Sequence, residues 1–222
     1  MKEYGIFDIL GPVMIGPSSS HTAGAARIGN MARVIVGRPF KKVTFYLHGS
    51  FAKTSIGHGT DRALLAGVMG LRPDDERLTD SFELARKAGI DFEFIEKDLG
   101  YQHPNTVKLE FLLEDKSLFY VTGSSVGGGN ILITNIDGTE VEFSGNSPTI
   151  LIRNRDTRGV IAHISTVLSL SGVNIATMSV VRKDSIATMV IEIDSPINED
   201  LVNDIKESKD ILYIAGINPI KE

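Results

Sequence analysis

Between Gly16 and Gly24 the chain runs Pro-Ser-Ser-Ser-His-Thr-Ala, five adjacent polar positions with one imidazole among them at the head of an Ala-rich segment. One hydroxyl is enough to cap a helix, because a single side-chain oxygen accepts from one of the N–H groups that the first turn leaves unpaired. The surplus in Ser18, Ser19, Ser20, His21 and Thr22 suits an anion site, where free N–H groups, hydroxyls and the positive end of the helix dipole converge. An over-decorated cap is the competing reading of the same letters. Three more histidines follow: His48 in "YLHGS", His58 in "GHGTD" and His103 in "YQHPNT". His58 and His103 stand among Gly, Pro and polar residues, a context of loops and element ends where sites are built. Histidine moves protons near neutral pH or orients a carboxylate, and Thr60 and Asn105, each two residues beyond a histidine, add neutral hydrogen bonding. His48 on a strand and His163 on a later helix read as structural. No His-x-x-x-His or His-Glu-x-x-His spacing occurs, so the histidines do not spell a zinc site.

The elements that must position these groups follow from periodicity. Ala23 to Val36 places Ile28, Met31, Ala32 and Ile35 on one helical face and Arg27, Asn30 and Arg33 on the other, ending at Gly37 and Pro39. "KKVTFYLHG" alternates as a strand, and "HGTDRALLAGVMGL" returns to helical spacing with Thr60 or Asp61 as its expected cap. "DSFELARKAG" is a shorter helix closed by Gly89. From Asp91 the pattern becomes strands: "DFEFIE", "TVKLEFLLE", "SLFYVTGSS", "NILITNID" and "TEVEFSG". "GSSVGGGN" lacks the Lys of a Walker loop and the helix of a dinucleotide fingerprint, so it reads as a hairpin or bulge loop whose backbone could line a site. "SGNSP" breaks the chain, giving expected domains of 1–146 and 147–222. The second carries the order βαββαβ of a split βαβ sandwich. Its twin segments "NIATM" and "SIATM" read as paired hairpin strands rather than as a repeat. The expected class is therefore α+β, a mixed α/β domain followed by a ferredoxin-like one.

With 222 residues, 42% of them hydrophobic, the chain can bury a real core. Its net charge of −5, from 23 basic and 28 acidic residues without long runs, argues against a nucleic-acid or anionic-membrane binder and for a small polar ligand or another protein. The absence of Cys excludes disulfides, thiolate nucleophiles and Cys-ligated zinc or iron–sulfur sites within this chain. The N-terminus lacks the basic start and apolar run of a signal peptide, and no segment reaches membrane-span length, so the expectation is a cytoplasmic protein.

"FDILGPVMIGPSSSHTAGAARIG", "GHGTDRALLAG" and "HPNT" together resemble the β subunit of the two-chain, iron–sulfur-dependent L-serine dehydratases. The first domain is also similar to an allosteric substrate-binding domain of some phosphoglycerate dehydrogenases. "RNRDTRGVIAHISTVLSLSGVNIATM" resembles the start of an ACT domain, a small amino-acid-binding regulatory fold. The resemblance implies an L-serine ammonia-lyase that converts L-serine to pyruvate and ammonia, in which a [4Fe–4S] cluster acts as Lewis acid on the substrate hydroxyl. Since the family's cluster cysteines belong to the α chain, it implies an α-subunit partner that holds the cluster, and a β chain inactive without it. It places His58 and His103 at the catalytic centre, with Thr60 and Asn105 beside the substrate and Ser19, Ser20, His21 and Thr22 completing the wall. Which group acts as base stays open.

In the ACT-like half, Gly159 at a strand-to-helix loop lets backbone approach a carboxylate, so Gly159 with Val173, Asn174, Ile175 and Ala176 is expected to line an amino-acid site or a domain contact. Such domains commonly pair side by side, implying a homo-oligomeric contact. The alternative function is a purely regulatory amino-acid sensor whose histidines take no part in turnover; an NAD-linked dehydrogenase fragment is disfavoured by the missing fingerprint.

Overall fold

The computed structural model describes residues 13–219. The chain is α+β, as expected, and its contacts divide it into two units between Gly138 and Thr139.

The first unit opens with a five-residue π-helical turn, Ser19–Ala23, which runs directly into α1 (Gly24–Val36). Then come β1 (Phe40–Leu47), α2 (Gly49–His58), α3 (Thr60–Val68), a 3₁₀ turn at Glu76–Asp80 and α4 (Ser81–Lys87). Strands β2 (Asp91–Glu96), β3 (Thr106–Leu113), β4 (Leu118–Gly127) and β5 (Asn130–Ile136) follow. Within this unit the strand order is β2-β1-β3-β4-β5. β1 pairs parallel with β2 and antiparallel with β3, so that Phe45 faces Phe94 on one side and Leu109 on the other. Phe45 and Phe94 stack with centroids 4.6 Å apart.

Helix α1 buries the stripe its periodicity predicts, with Ile28, Met31, Ala32 and Ile35 each at most 3% exposed. Fully burying a side chain of that size is worth about 1.5–3 kcal/mol. α1 packs on α3 unusually closely. A Cβ at Gly29 would fall on the carbonyl oxygen of Leu64, and one at Gly67 on that of Ala26. Two glycines thus let the helix backbones touch, which fixes the helix that leaves the serine-rich turn against the helix that leaves "GHGT". An alanine at either position must push the helices apart, a strain of typically about 1–3 kcal/mol.

Two local expectations change. The segment Gly49–His58, unassigned from periodicity, is helical. Its Ser, Thr and Gly content gives weak amphipathicity, and it is held instead by the fully buried Phe51 and by the N–H of Ser50, which donates to the Pro104 carbonyl at 2.7 Å. The cap expected of Thr60 or Asp61 is provided by neither. Gly59, at φ +68°, is the N-cap of α3 and makes no side-chain hydrogen bond. That conformation is one that Gly adopts without penalty, and it breaks α2 from α3.

The second unit carries β6 (Thr139–Phe143), β7 (Thr149–Arg155), α5 (Val160–Leu170), β8 (Ile175–Lys183), β9 (Ile186–Ile193), α6 (Glu199–Lys206) and β10 (Ile211–Ile217). From β7 onward this is the βαββαβ order read from the sequence. The antiparallel sheet has order β10-β7-β9-β8, and Ile150, Ile152, Met189 and Ile191 pack with Ile164 and Leu168 of α5 and Leu201 and Ile205 of α6. "NIATM" and "SIATM" lie largely on the antiparallel partners β8 and β9, with Met178 opposite Ile191 and Val180 opposite Met189.

Candidate active site

Three separate pieces of chain converge on the π-turn. Ser18 does the capping: its Oγ accepts the His21 N–H at 3.2 Å. That leaves Ser20 and His21 free for other contacts. His21 is 9% exposed, and its ring is bound at both nitrogens, Nδ1 to Ser20 Oγ at 3.0 Å and Nε2 to Ser50 Oγ at 3.0 Å. Its edge packs against Phe51, centroids 5.4 Å apart, and against His58 at 5.0 Å. Thr22, also buried, donates its hydroxyl to the carbonyl of His58 at 3.2 Å. Ser19 contributes its backbone, accepting the Gly24 N–H to close the turn.

The "HPN" segment arrives from the other side. Pro104 accepts the N–H of Ser50, and the Asn105 N–H donates to His103 Nδ1 at 3.1 Å. Asn105 exchanges backbone and side-chain contacts with Ser125, accepting its N–H at 3.0 Å and reaching its carbonyl through Nδ2 at 3.5 Å. Thr106 Oγ1 lies 2.7 Å from Ser124 Oγ. A continuous path therefore runs from His58 through His21, Ser50 and Pro104 to His103 and Asn105. His58 and His103 both present exposed side chains.

Two hydroxyls in this region are buried with no hydrogen-bond partner, Thr60 Oγ1 and Ser125 Oγ, each residue 0% exposed. A buried donor left unpaired costs about 1–3 kcal/mol, so each is a group whose partner an incoming molecule could supply. Ser50, Ser124 and Ser125 were not singled out by sequence reasoning. The signal available was the serine pair inside "GSSVGGGN", which the structure makes the end of β4 in a β4–β5 hairpin. The turn is tied to α1 by Arg27, which donates to the Gly129 carbonyl at 3.0 Å.

The remaining histidines contact backbone groups. His48 Nδ1 accepts the Leu99 N–H at 3.1 Å, and His163 Nε2 lies 3.3 Å from the Ile205 carbonyl. Among the described residues no group of three or more His, Asp or Glu is placed to hold a metal ion, and no helix is long and apolar enough to cross a membrane.

Burial, and then the neighbouring His58, holds the His21 pKa below its ordinary value of 6.5. Burial disfavours the charged ring. A folded-state pKa below the unfolded one means that the unfolded chain binds the proton more readily. The stability contributed by neutral His21 is present above pH 6.5 and is lost as the pH falls from there through the lower folded value. Denaturant midpoints should accordingly drop between about pH 7 and 5, and His21→Asn should flatten that part of the profile; an unchanged slope in the variant would refute the assignment.

In the second unit, α5 separates the two expected ligand segments. Gly159, at φ +92°, is the N-cap of α5 and lines a cavity of about 470 Å³ with Arg158, Val160, His163 and Asp210. Val173, Asn174 and Ile175 lie beyond the other end of the helix and line a different cavity of about 330 Å³. Ala176 is exposed on β8. The 11 residues of α5 put roughly 16 Å between the two ends, so one amino acid cannot touch both sets within a single copy.

This two-unit arrangement, a histidine- and hydroxyl-rich site on an α/β unit joined to a βαββαβ unit, corresponds to known families. Residues 5–87 match the serine dehydratase beta chain family and residues 148–210 the ACT domain. The L-serine dehydratase, beta chain, of Peptoniphilus asaccharolyticus is 47% identical, over 90% of this chain and 92% of its own. The probable L-serine dehydratase, beta chain, of Bacillus subtilis is 42% identical over 98% and 99%. A D-3-phosphoglycerate dehydrogenase of the same organism is 27% identical over 87% of this chain and 37% of its own. The chain belongs to the L-serine dehydratase beta-chain family and is a serine dehydratase subunit with an ACT domain.

Proposed function

We propose that residues 1–146 supply one wall of a composite active site that deaminates L-serine to pyruvate and ammonia, the other wall coming from a cysteine-bearing α subunit. The observation that carries this reading is that Ser50, at the start of α2, contacts both His21 of "SSSHT" and Pro104 of "HPN". His58 and His103 stand at its exposed rim as the proton-carrying groups. Ser19, Ser20, His21 and Thr22 form the anion-facing turn, and Thr60 and Asn105 offer neutral hydrogen bonds. A [4Fe–4S] cluster belongs to the α subunit in this reading. The present chain does not fit it, since it has no Cys and its donors here are imidazoles and hydroxyls. What this chain does is bind and orient: the turn holds the carboxylate, neutral His21 braces His58, and the two rim histidines carry protons. Anaerobic co-expression with the α chain followed by a serine-dependent pyruvate assay tests this, and a folded, complete assembly without turnover would refute it.

Residues 147–222 are proposed as the ACT unit, with a homo-oligomeric contact. The separation of Gly159 from Val173, Asn174, Ile175 and Ala176 supports this, because a ligand touching both sets must bridge two copies. Sedimentation of the full chain is expected to give a dimer or larger species, and a monomer at micromolar concentration would count against it.

A further inference from the structure

The two serines on either side of the His21 ring are not equivalent. At Nδ1 there are two hydroxyls, Ser20 Oγ at 3.0 Å and Ser18 Oγ at 3.5 Å, themselves 3.3 Å apart. At Nε2 there is one, Ser50 Oγ at 3.0 Å. A neutral imidazole has one donor and one acceptor nitrogen. Ser18 Oγ already accepts the His21 backbone N–H, so the hydroxyl proton of Ser18 needs an acceptor, and so does that of Ser20.

One direction accommodates both: Ser18 donates to Ser20, Ser20 donates to Nδ1, and Nε2–H donates to Ser50. The Ser50 O–H is then the end of the chain and points its donor elsewhere. The reverse direction uses both lone pairs of Ser18, leaves the Ser18 proton as the end of the chain and spends the Ser50 proton on the ring. Ser50 is half-buried, and its backbone N–H is pinned to Pro104, next to His103 and Asn105. Gly49, at φ +55°, turns the chain there so closely on Pro104 that a Cβ would lie 2.6 Å from its carbonyl oxygen.

We propose that Ser50 is a substrate-contacting residue, donating its hydroxyl proton to an anionic substrate oxygen at the end of a polarised chain Ser18–Ser20–His21–Ser50, with His21 held as the Nε2–H tautomer. This rests on the composite-site reading for the identity of the substrate, L-serine, whose carboxylate is the anionic group to be bound. Each donor in such a chain is strengthened by the one behind it, and a hydrogen bond to a charged acceptor is stronger than a neutral one.

The test has two arms. In the full chain labelled with ¹⁵N-histidine, long-range ¹H–¹⁵N correlation at pH 7 is expected to show His21 protonated at Nε2; protonation at Nδ1 would overturn the proposed direction. In the assembled α–β enzyme, Ser50→Ala is expected to lower kcat/KM for serine roughly 10- to 100-fold, mostly through KM. Ala is a strong helix former, so α2 is retained, and Ser50→Thr, which keeps the hydroxyl, should restore most of the loss. Unchanged kinetics of Ser50→Ala beside an active wild type would overturn this inference alone. An inactive wild-type assembly would overturn the assigned substrate along with the composite-site reading, while the tautomer would still be read from the isolated chain.

Discussion

Replacing His58 by Ala in the assembled enzyme is expected to lower kcat/KM for L-serine by roughly 10²- to 10⁴-fold, the usual contribution of a positioned acid or base. His103→Ala is expected to fall in the same range, and in both cases complex formation and iron content should be unchanged. The reasoning is geometric. Both side chains are exposed, so neither holds the core together; His58 packs on His21, and His103 precedes Pro104, whose carbonyl accepts the Ser50 N–H. Thr60→Val sharpens the test. The Thr60 hydroxyl is buried and unpartnered in the chain alone, so a near-isosteric methyl should leave unfolding stability equal or higher. If a substrate or partner group satisfies that hydroxyl in the assembly, the same change should cost about 1–3 kcal/mol in transition-state binding. His163→Ala, on α5 of the second unit, serves as the silent control. A variant lacking both His58 and His103 that kept near wild-type turnover would reject the composite site and favour the amino-acid-sensing alternative.

What could be read from the letters follows where local physics decides. Helix α1 was legible because Ile28, Met31, Ala32 and Ile35 repeat at helical spacing and nothing in its tertiary setting contradicts that. The βαββαβ unit was legible for the same reason, its strands and helices differing sharply in apolar period. Helix α2 was not, because Ser50, Thr54, Ser55 and Gly57 carry no stripe. Its existence depends on one buried ring, Phe51, and on a backbone bond to Pro104, far along the chain. Thr60 or Asp61 reads as the cap because a side-chain oxygen at a helix start normally has that use, whereas the positive-φ Gly59 takes the position and leaves the Thr60 hydroxyl orphaned. The site shows the same division. His21, His58 and His103 announce themselves by residue type, but Ser50 and Ser125 are ordinary letters. Ser50 acquires meaning only through a contact across 29 residues of sequence, and Ser125 through Asn105, 20 residues away. Residue type supplied the chemistry, and only the fold could supply the arrangement.

The chain purified alone is expected to be colourless, to hold no stoichiometric iron and to form no pyruvate from L-serine. Composition forces the first two results. Iron–sulfur clusters are typically held by Cys thiolates, and none of the 222 residues is Cys. Nor do the described residues gather three His, Asp or Glu that could substitute. The third result follows from the site itself. Its hydroxyls and neutral imidazole can bind a carboxylate and pass a proton, but hydroxide is a poor leaving group and the His21 ring, with its pKa below the ordinary value, is a weak acid catalyst at neutral pH only in the sense that little of it is charged. On the composite-site proposal, the electrophile that assists loss of the serine hydroxyl comes from the α subunit, so this chain by itself is expected to be inactive. Anaerobic addition of the α chain should restore colour, iron and turnover together, with both chains in one peak on gel filtration. A brown, active preparation of this polypeptide by itself would overturn the two-chain reading, because the chain has no thiolate to hold a cluster.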